Sequence, residues 1–185
     1  MLTVFLQLLK ETGARGGEAA NVKWKDVDFE RKIVHITPEK GSKARILPIS
    51  NKLIDMLNRQ TKRSEKIFAS FHSLKTNYHN TRKRLVFKLQ NSRLKHIHMH
   101  TFRHWKATME YHKTKDIIHV QQILGHRDIK CTMIYITLEN ALFQNTTEDY
   151  TSKVAHTLAE ACALIDTSFE YVTDMDGAKI FRKRK

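Results

Sequence analysis

Apolar residues in the first dozen positions fall at Leu2, Phe5, Leu6, Leu8 and Leu9, the spacing of one face of a helix. Thr12-Gly13 ends that helix, and a short second helix is expected over Gly17 to Val22. Residues 32–37, Lys-Ile-Val-His-Ile-Thr, alternate and are β-branched, so they read as a strand. Pro38 to Lys43 reads as a turn, and Arg45-Ile46-Leu47-Pro48-Ile49 as the returning strand. Ser50 suits the cap of a helix over Asn51 to Arg59. A basic helix over about 72–90 follows, with Leu74, Tyr78, Leu85 and Phe87 as its core positions. Further helices are expected over about 100–113, 116–124 and 129–137, the second of them stopped by Gly125.

The last stretch differs in character. Tyr150, Val154, Leu158, Ala161, Cys162 and Ile165 recur at helical spacing, which predicts one amphipathic helix over 147–165. Phe169-Glu-Tyr-Val-Thr and Ala178-Lys-Ile-Phe flank Asp176-Gly177, a good hairpin turn, and a basic run from Arg182 ends the chain. There is no internal repeat and no low-complexity linker. The fold class is mainly α with a small antiparallel β hairpin, an α+β arrangement. Residues 1–140 form one domain; residues 141–185 are a C-terminal extension, a helix plus a hairpin, packed on that domain or on a neighbouring protomer.

Composition narrows the function. With 41% hydrophobic and 28% charged residues among 185, a buried core is feasible. No apolar run approaches the ~18–20 residues that span a bilayer. The N-terminal apolar stretch is broken by Gln7, Lys10 and Glu11 and has no basic n-region, so it is a packed helix, not a signal peptide. Two cysteines, Cys131 and Cys162, make neither a disulfide framework nor a Cys-rich zinc site, and suit a reduced, cytoplasmic setting. The net charge of +14 points to a polyanionic partner. A membrane binder would gather its cations on one amphipathic helix. Here they spread along the chain, Lys62, Arg63, Lys75, Arg82, Lys83, Arg84 and Lys88 among them, which favours nucleic acid over membrane.

Cutting a strand without a metal ion needs a nucleophile, cations on the phosphate oxygens and a proton donor for the leaving oxygen. Arginine forks suit two phosphate oxygens at once, and a tyrosine nucleophile conserves the bond energy in an aryl phosphodiester. Four clusters supply these types: Thr12-Gly13-Ala14-Arg15 with Glu18; the hairpin tip with Lys40 and Lys43; His100 and Arg103, three apart on one helix face; and Leu124-Gly125-His126 with Tyr135 nine residues on. His96, His98 and His100 alternate as metal ligands on a strand would. No cysteine or carboxylate completes a shell, and helix onset near His100 breaks the alternation. Trp24 and Trp105 read as core residues.

Taken in this order and spacing, the clusters resemble the tyrosine recombinase (phage-type integrase) family over roughly residues 3–140, most closely its archaeal integrase-like members. The family pattern falls on Arg15 with Glu18, on Lys40 in Lys-Gly-x-x-x-Arg-x-x-Pro, on His100 and Arg103, on His126 and on Tyr135. Lys43 competes with Lys40, Phe102 stands where leucine is usual, and the family's N-terminal DNA-clamping domain is not in this sequence.

The resemblance implies the catalytic-domain fold of that family and cleavage and rejoining of DNA through a 3′-phosphotyrosyl link, with no metal and no nucleotide cofactor. It implies that Arg15 and Arg103 clamp the scissile phosphate, Lys40 protonates the leaving 5′ oxygen and His126 donates to a phosphate oxygen. His100 assists proton transfer at the tyrosine or binds the phosphate, and Tyr135 attacks. It implies double-stranded DNA as partner, a tetramer on DNA and a nucleoid-associated location. A type IB topoisomerase-like relaxing enzyme and a non-catalytic DNA-binding remnant remain as alternatives.

Overall fold

Helix α1 (Leu2–Thr12) buries Val4, Phe5, Leu8 and Leu9, the face its spacing defines. It ends at Gly13, whose φ of 62° is the left-handed conformation that glycine adopts without a Cβ penalty. The computed structural model describes residues 1–39, 41–62, 64–143, 150–175 and 177–184. After α1 come α2 (Gly16–Ala20), a 3-10 turn over Trp24–Asp26, and three strands, β1 (Val27–Asp28), β2 (Ile33–Ile36) and β3 (Arg45–Pro48). These form one antiparallel sheet in the order β1-β2-β3, with Val34 opposite Leu47 and Ile36 opposite Arg45. Pro48 closes an edge strand, where its missing N–H breaks no ladder.

Helices α3 (Asn51–Asn58), α4 (Phe71–Lys88), α5 (Met99–Thr114), α6 (Ile117–Leu124) and α7 (Lys130–Phe143) complete this part. Ser50 caps α3 by accepting from the Leu53 N–H at 3.2 Å, and Asp116 caps α6 by accepting from Ile118 and His119. The main core joins α1 to Val34, Ile36 and Leu47 of the sheet, to Leu53 and Leu57 of α3 and to Leu74 of α4. Phe5 and Phe68 meet edge to face within it, at 5.3 Å between centroids. A smaller cluster of Ala107, Val120, Leu124 and Tyr135 joins α5, α6 and α7.

The expected elements of residues 1–140 are present, with two differences in packing. Only Leu74 of the four supposed core positions on α4 is buried; Leu85 is exposed and Phe87 is 79% exposed. Helix α4 carries so many charged and polar residues that only Leu74 is buried, while Tyr78, Thr81, Arg82 and Val86 are half-buried. Trp105, expected inside, is 46% exposed with the Lys10 ammonium 5.2 Å from its ring, whereas Trp24 packs partly buried against the core. The last helix of this part runs to Phe143, beyond the expected end near 137.

Contacts divide the chain into Met1–Glu139 and Asn140–Lys185. In the second unit the single helix expected over 147–165 is instead a strand, β4 (Tyr150–Ala155), followed by α8 (Leu158–Asp166). The Tyr-Thr-Ser-Lys-Val run, with β-branched Thr151 and Val154, pairs with a neighbour, and the Thr157 hydroxyl starts the helix by accepting from the Glu160 N–H. Residues 147–149 of that expected helix lie outside the described residues. The hairpin strands are β5 (Glu170–Met175) and β6 (Ala178–Arg184), and the sheet order is β4-β6-β5. Gly177 of the expected turn has a φ of 75°, and Asp176 lies outside the described residues. Ala155, Ala161 and Phe181 form the small core of this unit. Among the described residues no helix is long and apolar enough to cross a membrane.

Candidate active site

Two helices end in the same way, and their ends meet on one side chain. Helix α1 stops at Gly13 and α6 at Gly125, both left-handed, with φ of 62° and 66°. Each ending leaves a carbonyl free of its helix. Arg103, on α5, donates from Nη1 to the Gly13 carbonyl at 2.7 Å and from Nη2 to the Leu124 carbonyl at 2.8 Å. It is 1% exposed, so the planar fork joins three helices inside the fold. Burial, followed by the charges of Arg15 and Arg45, pushes this guanidinium down to about 10.

Arg15 stands between α1 and α2. The Glu18 carboxylate turns back to accept from the Arg15 backbone N–H at 2.9 Å, which fixes the start of α2. The Arg15 guanidinium lies 3.3 Å from Glu18 Oε1 and donates to the Ser42 hydroxyl of the β2–β3 hairpin. It remains about one-third exposed, the accessible cation beside the buried Arg103.

Glu18 is fully buried, and its other oxygen meets Arg45 Nη2 at 2.5 Å. Burial alone would raise the Glu18 carboxyl. The Arg45 hydrogen bond, the Arg15 N–H, the Arg45 charge and Ser42 together hold it down to about 2. Alternation along β3 places Arg45 on the inward face with Leu47. Arg45 was part of the lysine-hairpin pattern but was assigned no task from the sequence. Its signal was its parity with Leu47.

The hairpin docks on the end of α6. The Lys43 N–H donates to the Gly125 carbonyl at 2.9 Å. A Cβ at Gly125 would come within 2.7 Å of Arg45 Nη1 and 2.8 Å of the Lys43 carbonyl, so both conformation and space require glycine here. Lys40 lies outside the described residues.

His126 follows this glycine, with its Nδ1 2.9 Å from the Thr132 hydroxyl on α7. Burial, then the charges of Arg103, Arg15 and Arg45, lowers it to about 4, so its imidazole is neutral near pH 7. One helical turn beyond Thr132, α7 presents Tyr135. This phenol is 2% exposed; burial pushes it up, while Arg103 and Arg15 draw it down. Its hydroxyl lies 3.3 Å from Nδ1 of His104.

His100 precedes Arg103 by three residues on α5, and its ring meets that of His104 edge-on at 4.7 Å. Burial, His104, Arg103 and Arg15 all lower it. Helix α4 fixes the entry to α5: the Tyr78 hydroxyl and Arg82 Nη1 donate to the Ile97 carbonyl at 2.8 and 2.7 Å. Arg82 also lies 2.9 Å from His98 Nδ1. The run from Ser92 to His96 is a 3-10 turn, and His98 precedes the first turn of α5, so the three alternating histidines share no strand face. Among the described residues no cluster of three His, Cys, Asp or Glu side chains suits a metal ion.

The structure therefore brings Arg15, His100, Arg103, His126 and Tyr135 into one electrostatic neighbourhood, as the mutual effects on their protonation record. Beside it, Lys75, His79, Arg82 and His100 are among the residues lining a groove between α4 and the start of α5. The arrangement can hold an anion between cations next to a buried phenol.

The profile of the family described as the Phage integrase family matches residues 1–141. A tyrosine recombinase from Pseudothermotoga lettingae is 34% identical over 140 residues, 72% of this chain and 48% of that protein. Tyrosine recombinase XerA from Saccharolobus solfataricus is 30% identical over 135 residues, 73% of this chain and 45% of that protein. The catalytic domain of bacteriophage HP1 integrase superposes with a TM-score of 0.53 at 26% identity, covering 79% of this chain and 83% of that one. The chain spans about half the length of the curated relatives it matches.

Proposed function

Since this chain belongs to the phage integrase family, we propose that it cleaves and rejoins duplex DNA by attack of Tyr135 on a backbone phosphate, in site-specific recombination. The observation that carries the reading is that the charges of Arg103 and Arg15 act on both the Tyr135 phenol and His126, whose ring meets Thr132 on the same helix as Tyr135. Pentacoordinate phosphorus gathers charge on its non-bridging oxygens, and fixed donors that need no reorganisation stabilise it. Arg15, the more accessible cation, takes one side of the phosphate. Arg103, anchored to Gly13 and Leu124, is assigned the other side. His126 donates a hydrogen bond from Nε2, its Nδ1 being engaged by Thr132. His100 faces the same phosphate. Lys40 is assigned the proton for the departing 5′ oxygen.

Double-stranded DNA as partner accords with the +14 charge and with the groove lined by Lys75, His79, Arg82 and His100. On the resemblance to tyrosine recombinases, we further propose four protomers on two duplexes and a site of action beside the chromosome, in the cytoplasm.

The test uses a pool of short duplexes nicked at a fixed position and randomised on both sides. Cleavage next to the nick releases a short oligonucleotide and traps the covalent adduct. Wild-type chain is expected to form an adduct that maps to Tyr135 by mass spectrometry, and Tyr135→Phe none. An adduct persisting in Tyr135→Phe would show that a different nucleophile operates.

A further inference from the structure

The phenol of Tyr135 must lose its proton as it attacks, and the structure gives that hydroxyl one neighbouring acceptor from the histidines around it. It is neither His100 nor His126. His104 Nδ1 lies 3.3 Å from Tyr135 Oη, and the two rings are 5.8 Å apart at 51°. His126 Nδ1 is engaged by Thr132, and His100 packs its ring against the edge of His104. His100, Arg103 and His104 occupy one face of α5, at i, i+3 and i+4. The helix that carries a phosphate-binding arginine thus also aims an imidazole at the nucleophile.

We propose that His104 is the catalytic base of this site, taking the Tyr135 proton on Nδ1 as the phenolic oxygen attacks phosphorus. The inference rests on the recombinase reading and deepens it. The Oη–H bond breaks toward Nδ1, and the electron pair left on Oη forms the O–P bond. The P–O5′ bond breaks with its pair on the 5′ oxygen, which takes a proton from a separate donor. His104 becomes an imidazolium. On rejoining, the 5′ hydroxyl gives its proton back to that donor as it attacks phosphorus, the O–P bond to Oη breaks with its pair on Oη, and Nδ1 returns the proton to it. No electrons are exchanged with a third species.

The surroundings suit this role. Burial, then the Arg103 charge, lowers His104 below the ordinary imidazole value, so it is a neutral acceptor near pH 7. The titratable and charged groups facing it are His100 and Arg103 on its own helix and Tyr135 on α7. His100, also lowered, adds no second positive charge at that pH. Edge-on packing against His100 holds the His104 ring in register with the phenol.

The experiment measures single-turnover adduct formation with the nicked duplex pool across pH 5 to 9, for wild type, His104→Phe and His104→Asn. Asn places an amide near the Nδ1 position, keeping a hydrogen-bond partner that cannot take a proton. At pH 7 both variants are expected to lose on the order of 10²-fold in rate, with rates that climb steadily with pH as solvent base substitutes. A second pool carries sulfur in place of the 5′ oxygen at the scissile bond, a leaving group that needs no proton. It should leave the His104 defect in place while relieving defects in the donor to the 5′ oxygen.

Full activity of His104→Asn would overturn the proposal in favour of a positioning role. So would a wild-type pH profile retained in His104→Phe, or rescue of His104→Phe by the sulfur substrate. Failure of the wild-type chain to form any Tyr135 adduct would overturn the recombinase reading itself, and the base with it.

Discussion

The Arg103 guanidinium donates to the carbonyl of Gly13 at 2.7 Å across 90 positions of sequence. The same fork reaches the carbonyl of Leu124, so one side chain binds the ends of α1 and α6. An arginine expected to touch only substrate is also a structural joint.

Arg103→Lys therefore tests both roles. An ammonium cannot hold both carbonyls in the geometry of a planar fork, and a buried acceptor left unsatisfied costs about 1–3 kcal/mol. The expected outcome is a melting temperature several degrees lower, with adduct formation reduced on the order of 10²-fold or more. An unchanged melting temperature would contradict the joint, whatever happened to activity.

Gly125→Ala should loosen the hairpin. A left-handed backbone disfavours alanine by roughly 1–2 kcal/mol, and the new Cβ meets Arg45 Nη1 and the Lys43 carbonyl at 2.7 and 2.8 Å. Hydrogen exchange at the Lys43 amide, whose acceptor is the Gly125 carbonyl, is expected to quicken by at least tenfold. Gly41→Ala serves as comparison: its φ of 80° strains the backbone similarly, but its Cβ has nothing within 4 Å. Equal effects of the two changes on Lys43 exchange would rule out the close approach as the cause.

Acid should unfold this protein in two stages of known sign. His126 is lowered in the fold to about 4 from 6.5, so the unfolded chain binds its proton first. That contribution is complete above about 6.5 and disappears as pH falls through 4. Glu18 is lowered from 4.5 to about 2, so its contribution is complete above 4.5 and disappears toward 2. Urea melts from pH 7 to 3 should show stability falling with pH throughout. His126→Gln should flatten the upper part of the curve and Glu18→Gln the lower part. Stability rising on acidification between 6.5 and 4 would contradict the assignment.

Binding to random duplex DNA should weaken steeply with salt. Each neutralised phosphate contributes about −0.9 to the slope of log affinity against log salt, and contact with about six gives roughly −5. Fluorescence anisotropy between 50 and 200 mM salt reads this slope directly. A slope near zero would be incompatible with an interface built on Lys75, Arg82 and their neighbours.

Much of the site was legible because its landmarks are backbone requirements. Gly13 and Gly125 mark helix ends closed in the left-handed conformation, and Arg15 and His126 follow them within two residues. The task of Arg45 was not legible, because a strand residue declares its face only by parity, and a buried arginine runs against the expectation for an inward position. His104 was visible as the i+4 neighbour of His100, but nothing along the chain says which histidine meets a tyrosine 31 positions later. The stretch from Tyr150 to Ala155 misled because Tyr150, Val154 and Leu158 repeat every four residues, a spacing that a helix and an even-numbered strand face share. Pairing with β6 decided for the strand.

A cation held by the carbonyls of Gly13 and Leu124 is poised only while α1 and α6 are both wound. If either helix frays, the guanidinium swings loose and the geometry around Tyr135 dissolves with it. Until the chain is wholly folded, that guanidinium has no fixed seat.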